Sequence, residues 1–195
     1  NIALVNELKV VYDAMGIDIW EVIEAAKTKP FGFMPFYPGL GVGGHCIPDD
    51  PLYLYWKAKH HGFNSKYIKL SADTNSNMPA YAVEVLRSAL RKRKKALSKA
   101  KILVVGVTYK KDVKDLRKSP PLRLIESLQV KKAHVDYYDP IIPYLKIGTI
   151  DQKSIKLTEK VLKKYDCVVM ACDHTKVKYK LILKSSKLIF DVKNI

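Results

Sequence analysis

After Lys101 the sequence changes period. KILVVGVTY (101–109), AHVDYYD (133–139), DCVVMACD (166–173) and KLIFDVKN (187–194) are short apolar runs. Between them, PPLRLIESLQ (120–129) and EKVLKKYD (159–166) carry helical spacing. An unbroken run of Val, Ile and Leu suits a strand buried on both faces, and such strands belong to parallel sheets with helical crossovers. The alternation predicts a small Rossmann-like domain over 99–195. Ligands of open parallel sheets sit beyond the carboxyl ends of the strands. Interest therefore falls on the segment after the first strand, TYKKDVKDLRKSPP, where Lys110, Lys111, Arg117 and Lys118 gather. The single Gly106 falls short of the three glycines that a dinucleotide fingerprint needs.

The first half reads differently. Ile2, Val5, Leu8, Val11, Tyr12 and Met15 recur at helical spacing, and Gly16 stops that helix. Asp18 followed by Glu21 has the form of a capping box for a second helix, IWEVIEAAKT. DPLYLYWKAKHHG predicts another helix, and SADTNSNMPAYAVEVLRSALRKRKKAL a long one with Val83, Leu86, Leu90 and Leu97 near one face. The expected architecture is α/β: a helical domain over 1–98, followed by the Rossmann-like sheet. Because the helical pattern is already running at Asn1, the chain is expected to be a piece of a longer protein.

Between these helices, residues 29–51 hold five of the nine glycines and five of the ten prolines, which predicts a long loop without regular structure. Cys46 sits in its densest part, GLGVGGHCIPDDP. A glycine-rich loop exposes a thiol and lets substrate approach backbone N–H groups, so Cys46 is a candidate nucleophile, with Asp50 or its neighbour Asp49 as general base. The same residues equally describe a tight turn with a helix cap, and both readings stand on these residues alone. His45 has no partners at zinc-ligand spacing, so no metal is expected.

Three cysteines give neither a disulfide framework nor a zinc ribbon, and a reducing, cytoplasmic setting is expected. Cys167 and Cys172 lie in a strand-like run and read as buried core. No apolar run approaches the roughly 20 residues of a membrane span. The net charge of +16 is uneven: residues 1–97 carry 13 basic and 9 acidic side chains, and the rest 22 and 10. That bias favours an anionic partner for the second half. RKRKK (91–95) closes a helix, where cations complement the dipole, and no nucleic-acid recognition fold surrounds it.

GVGGHCIPDDPLYL, KPFGFMPFYPG, YKKDVKDLR with the following SPP, and FDVKN together resemble the nucleotide-sugar 6-dehydrogenases, which oxidise UDP-sugars to UDP-uronic acids. The likeness is strongest to the branch acting on UDP-N-acetylmannosamine and related 2-acetamido sugars, with UDP-glucose 6-dehydrogenase the alternative. The resemblance implies two NAD-dependent oxidations through a thioester on Cys46, with Asp50 assisting proton transfer. It implies that Tyr37, Gly39, Gly41, Gly43 and Gly44 wrap the UDP-sugar, that Tyr109, Lys110 and Lys193 contact it, and that Arg117 reaches NAD. It further implies a homodimer through the central helices, and an NAD-binding domain upstream of Asn1 without which this chain is inactive. Leu40 departs from the pattern, giving PGLG where PGPG is usual. A nucleotide-binding and dimerisation module without catalysis is the competing possibility.

Overall fold

The computed structural model describes residues 1–195. Its first half is four helices: α1 (Ile2–Met15), α2 (Ile19–Lys27), α3 (Cys46–His60) and α4 (Lys66–Lys92). Asp18 caps α2 by accepting from the Trp20 N–H at 2.9 Å, one residue earlier than a capping box requires. The loop expected to run to Pro51 ends sooner, because α3 begins at Cys46 and takes in Pro48 and Pro51. The N–H that Pro48 lacks would have had no partner inside the helix, since the first four are always orphans. α4 begins five residues before the expected Ser71 and ends at Lys92, leaving Leu97 on a separate 3₁₀ turn, Leu97–Lys99.

The second half opens with β1 (Lys101–Val105), α5 (Pro120–Val130) and β2 (His134–Tyr138). After β3 (Tyr144–Ile147) and β4 (Ile150–Lys153) come α6 (Glu159–Leu162), β5 (Cys167–Met170), α7 (Tyr179–Ser185) and β6 (Ile189–Asp191). The main sheet is wholly parallel in the order β2-β1-β5-β6, with Val104 opposite both Tyr137 and Val169. Ile102 and Val104 face a core shared with Leu86 and Leu90 of α4 and Leu124 and Leu128 of α5. Leu103 and Val105 face the other way, onto Leu162, Tyr165 and Ile182. β1 is therefore covered on both sides, which is why its sequence is continuously apolar. The hairpin β3–β4 and helix α7 went unread in the sequence; the hairpin turns on Gly148-Thr149 and buries Leu145 and Ile150.

At ~1.5 Å per residue, the 27 residues of α4 span about 40 Å. It packs against α1, α3 and α5. Val83, Leu86 and Leu90 are at most 1% exposed, and each such burial contributes roughly 1.5–3 kcal/mol. The two halves thus share a core through α4 rather than meeting only at a linker. No helix is long and apolar enough to cross a membrane.

Asp139, just beyond β2, is buried and accepts from the Val107, Ile141 and Ile142 N–H groups at 2.8, 2.8 and 3.0 Å. Burial pushes this carboxyl up, but the donors from His174, Val107 and Ile141 outweigh it and hold it below the usual carboxylate range. A depressed folded-state pKa means that the stabilisation is complete above the unfolded value of about 4 and is lost as pH falls through the folded value. Asp139→Asn should lose about 2–4 kcal/mol in urea unfolding at pH 7, since it turns an amide toward buried donors. Below pH 4 its stability should also fall less steeply than that of the unaltered chain.

Candidate active site at the start of helix α3

The loop preceding α3 is tied down along its length. The Gly39 N–H donates to Asn6 Oδ1 at 2.9 Å, and Asn6 Nδ2 donates to Asn75 Oδ1 at 2.9 Å. Leu40, the departure from PGPG, is buried in the core shared by α4 and the sheet. Further along, the Gly44 N–H donates to the Arg117 carbonyl at 2.8 Å. A Cβ on Gly43 would lie 2.5 Å from Tyr109 Cβ, and one on Gly44 would lie 2.9 Å from the Tyr109 ring. Only glycine permits that approach, and it carries the loop from the helical half onto the carboxyl ends of the strands.

Cys46 is the first residue of α3 and is exposed, at a helix end where the backbone dipole favours an anion. Cys167 and Cys172 are buried, and burial pushes the Cys167 thiol up to about 12. Asp50 stands one turn along α3 and is exposed, on the same side of the helix as Cys46. Asp49, its competitor, is ion-paired with Lys118. His45 is exposed and makes no side-chain cap. A cleft of about 370 Å³ opens beside this helix end, lined by Ile2, Phe36, Ile47, Asn75, Lys118 and Arg123 among others.

From the second half, Tyr109 lies under the glycine pair and Lys110 is exposed. Arg117 forks onto Asp115, with Nη2 2.6 Å from Oδ2 and Nε 3.1 Å from Oδ1. The hydrogen bonds to Asp115 raise the guanidinium's affinity for its proton, and the Arg117 carbonyl, holding the Gly44 N–H, brings this residue to within two positions of Cys46 along the loop. Lys193 approaches Asp173 Oδ1 at 3.7 Å, and Lys111 approaches Oδ2 at 3.8 Å. The ends of β1, β5 and β6 therefore converge there.

Gly43, Gly44, Cys46, Tyr109 and Arg117 are thus brought together. Tyr37 is held by α2 instead, its hydroxyl donating to Glu24 at 3.0 Å and its ring stacked on Trp20 with centroids 5.7 Å apart. Sequence reasoning missed Asn6 and Asn75, which anchor the loop. The available signal was a polar residue at position 6, on the side of α1 that also buries Ala3.

A dinucleotide needs a glycine cradle between the first strand and its helix. Here 14 residues, 106–119, separate β1 from α5. The bare side of Gly106 is also filled, since a Cβ there would meet Cys172 Cβ at 2.5 Å. This sheet does not fit the pyrophosphate of NAD.

Comparison with known proteins accords with this geometry. UDP-N-acetyl-D-mannosamine dehydrogenase of Methanococcus maripaludis is 35% identical over 100% of this chain and 44% of its own length. UDP-N-acetyl-D-glucosamine 6-dehydrogenase of Pseudomonas aeruginosa is 42% identical over 72% of this chain and 33% of its own length. The solved structure of UDP-D-ManNAc dehydrogenase from Pyrococcus horikoshii superposes with a TM-score of 0.83 at 34% identity, covering 99% of this chain and 44% of that one. The chain spans less than half the length of these relatives. Matching the family's central domain over residues 1–77 and its UDP binding domain over 103–195, it belongs to the UDP-glucose/GDP-mannose dehydrogenase family.

Proposed function

We propose that this chain supplies the nucleophile and the nucleotide-gripping half of an NAD-dependent UDP-sugar 6-dehydrogenase acting on a 2-acetamido sugar, UDP-N-acetylmannosamine before UDP-glucose. One observation carries the reading: an exposed cysteine opens a helix whose preceding glycine pair is seated on Tyr109, beside Lys110. The names of the relatives support the substrate class.

NAD⁺, when bound, supplies the hydride acceptor for both oxidations of C6. The thiolate of Cys46 adds to the aldehyde carbon left by the first oxidation, forming a C–S bond and an alkoxide. That alkoxide can release hydride where the bare aldehyde cannot, and the sugar is left as a thioester on Cys46. Water then attacks the thioester carbonyl, the C–S bond breaks, and the thiolate is regenerated as the carboxylate leaves. Asp50 takes the proton from that water, because Asp49 is already engaged by Lys118. Lys110 and Lys193 neutralise the diphosphate through charge-assisted hydrogen bonds, and Gly39, Gly41, Gly43 and Gly44 let the loop backbone close over it.

In the 195-residue chain, iodoacetamide should modify Cys46 well before Cys167 or Cys172. UDP should bind by calorimetry, with Lys110→Ala weakening it about 10- to 100-fold. Because the pyrophosphate cradle is lacking, the chain alone should not reduce NAD⁺ with UDP-N-acetylmannosamine. Equal labelling of the three cysteines, or UDP affinity indifferent to Lys110→Ala, would overturn the proposal.

We also propose that the helical half pairs with a second copy. α3 buries none of its residues within the chain, and Tyr53, Leu54 and Trp56 are 60–65% exposed, as is Met15 of α1 at 63%. Light scattering after size exclusion should give twice the chain mass at micromolar concentration, and a monomer there would rule the pairing out.

A further inference from the structure

We propose that Thr108, Asp139 and His174 form a buried positioning relay that fixes the backbone of residues 109–112 and thereby sets Lys110 against the diphosphate of a uridine nucleotide. The inference rests on the reading that Lys110 meets that diphosphate. The three residues come from beyond the carboxyl ends of β1, β2 and β5, and none is more than 3% exposed.

Their hydrogen bonds run in one direction. The Asp112 N–H donates to His174 Nδ1 at 3.0 Å, so that nitrogen carries the lone pair and the ring proton sits on Nε2. Nε2 lies 3.1 Å from Asp139 Oδ2 and 3.1 Å from Thr108 Oγ1, and can donate to both. The Thr108 hydroxyl then donates to the Lys110 carbonyl at 2.9 Å. Asp139 completes the set by accepting from the Val107 N–H at 2.8 Å. Two peptide groups, at Lys110 and Asp112, are thus gripped from below while the Lys110 side chain points into solvent.

Asp112 has φ 56°, in the left-handed region that non-glycine residues avoid. Strained backbone persists only where its surroundings over-determine it. Here His174 holds the N–H, and the Asp112 carboxylate accepts from both the N–H and the hydroxyl of Thr175. Filling space alone would favour apolar groups, since burying polar ones costs free energy unless each is satisfied. A fully satisfied polar cluster beneath a strained segment at the mouth of a sheet has the form of a device that pre-sets a ligand contact.

The test is UDP affinity by calorimetry in the full chain, well below the melting transition, beside thermal unfolding without ligand. Thr108→Val keeps the shape and removes one hydroxyl; it should weaken UDP about fivefold, the size of one neutral hydrogen bond. Thr108→Ser should restore affinity to within about twofold, and His174→Ala should cost at least about tenfold. If His174→Ala does not fold, the Thr108 pair carries the test. Lower melting with unchanged UDP affinity in Thr108→Val, while Lys110→Ala still weakens binding, would overturn the relay and leave the proposed function standing. Unchanged affinity in Lys110→Ala would overturn both.

Discussion

The seat of Gly43 and Gly44 on Tyr109 is the contact on which the rest of the molecule's chemistry depends. Without it, the cysteine would open a helix belonging to one half of the chain and the lysines would line the sheet of the other. With the Gly44 N–H bonded to the Arg117 carbonyl, the loop is registered against the segment after β1. Lys118 then pairs with Asp49 on the first turn of α3, so the helix end is held from two sides. An ion pair this exposed adds little stability by itself. Its effect is to occupy one of two adjacent carboxylates and leave the other free.

Much of the sheet was legible because burial on both faces leaves an unmistakable composition; Lys101 to Val105 could hardly be anything but a central strand. Other elements were hidden for identifiable reasons. The start of α3 was obscured by Pro48 and Pro51, which ordinarily signal irregular backbone; Pro48 is tolerated in the first turn, and Pro51, in the second, leaves only the Ile47 carbonyl without its helical donor. The β3–β4 hairpin pairs YLKI with IDQK around a Gly-Thr turn, and its burial falls on two residues, too few for a periodic signal. In the site, the sequence motifs located Cys46, Tyr109 and Arg117, which fold together. They could not show that Tyr37 is claimed by Glu24 and Trp20, because that depends on where α2 ends. Thr108, Asp139 and His174 are separated by 31 and 35 residues, and nothing local links them.

Two groups of basic side chains lie at opposite ends of the strands. At the amino ends, Lys95 lies 3.1 Å from Asp166 and Arg93 donates to the Lys187 carbonyl at 2.7 Å. The run RKRKK therefore fastens the end of α4 to the rim of the sheet, which accounts for part of its charge without a nucleic acid. At the carboxyl ends, Asp115 holds Arg117 and Asp173 holds both Lys111 and Lys193, while Lys110 stands clear of them. The positive charge at that edge is organised by acids but not cancelled by them.

Pro79, midway along α4, has no N–H to offer the Asn75 carbonyl four residues earlier. Gly41 approaches that carbonyl so closely that a Cβ would lie 2.3 Å from the oxygen. A Cα–H is the largest group that fits, and it acts as a weak donor to an acceptor the helix has left over. The proline thus leaves an acceptor open in the middle of the longest helix for the loop before α3 to settle against, and the path of that loop is shaped by an amide the helix lacks as well as by the contacts it makes.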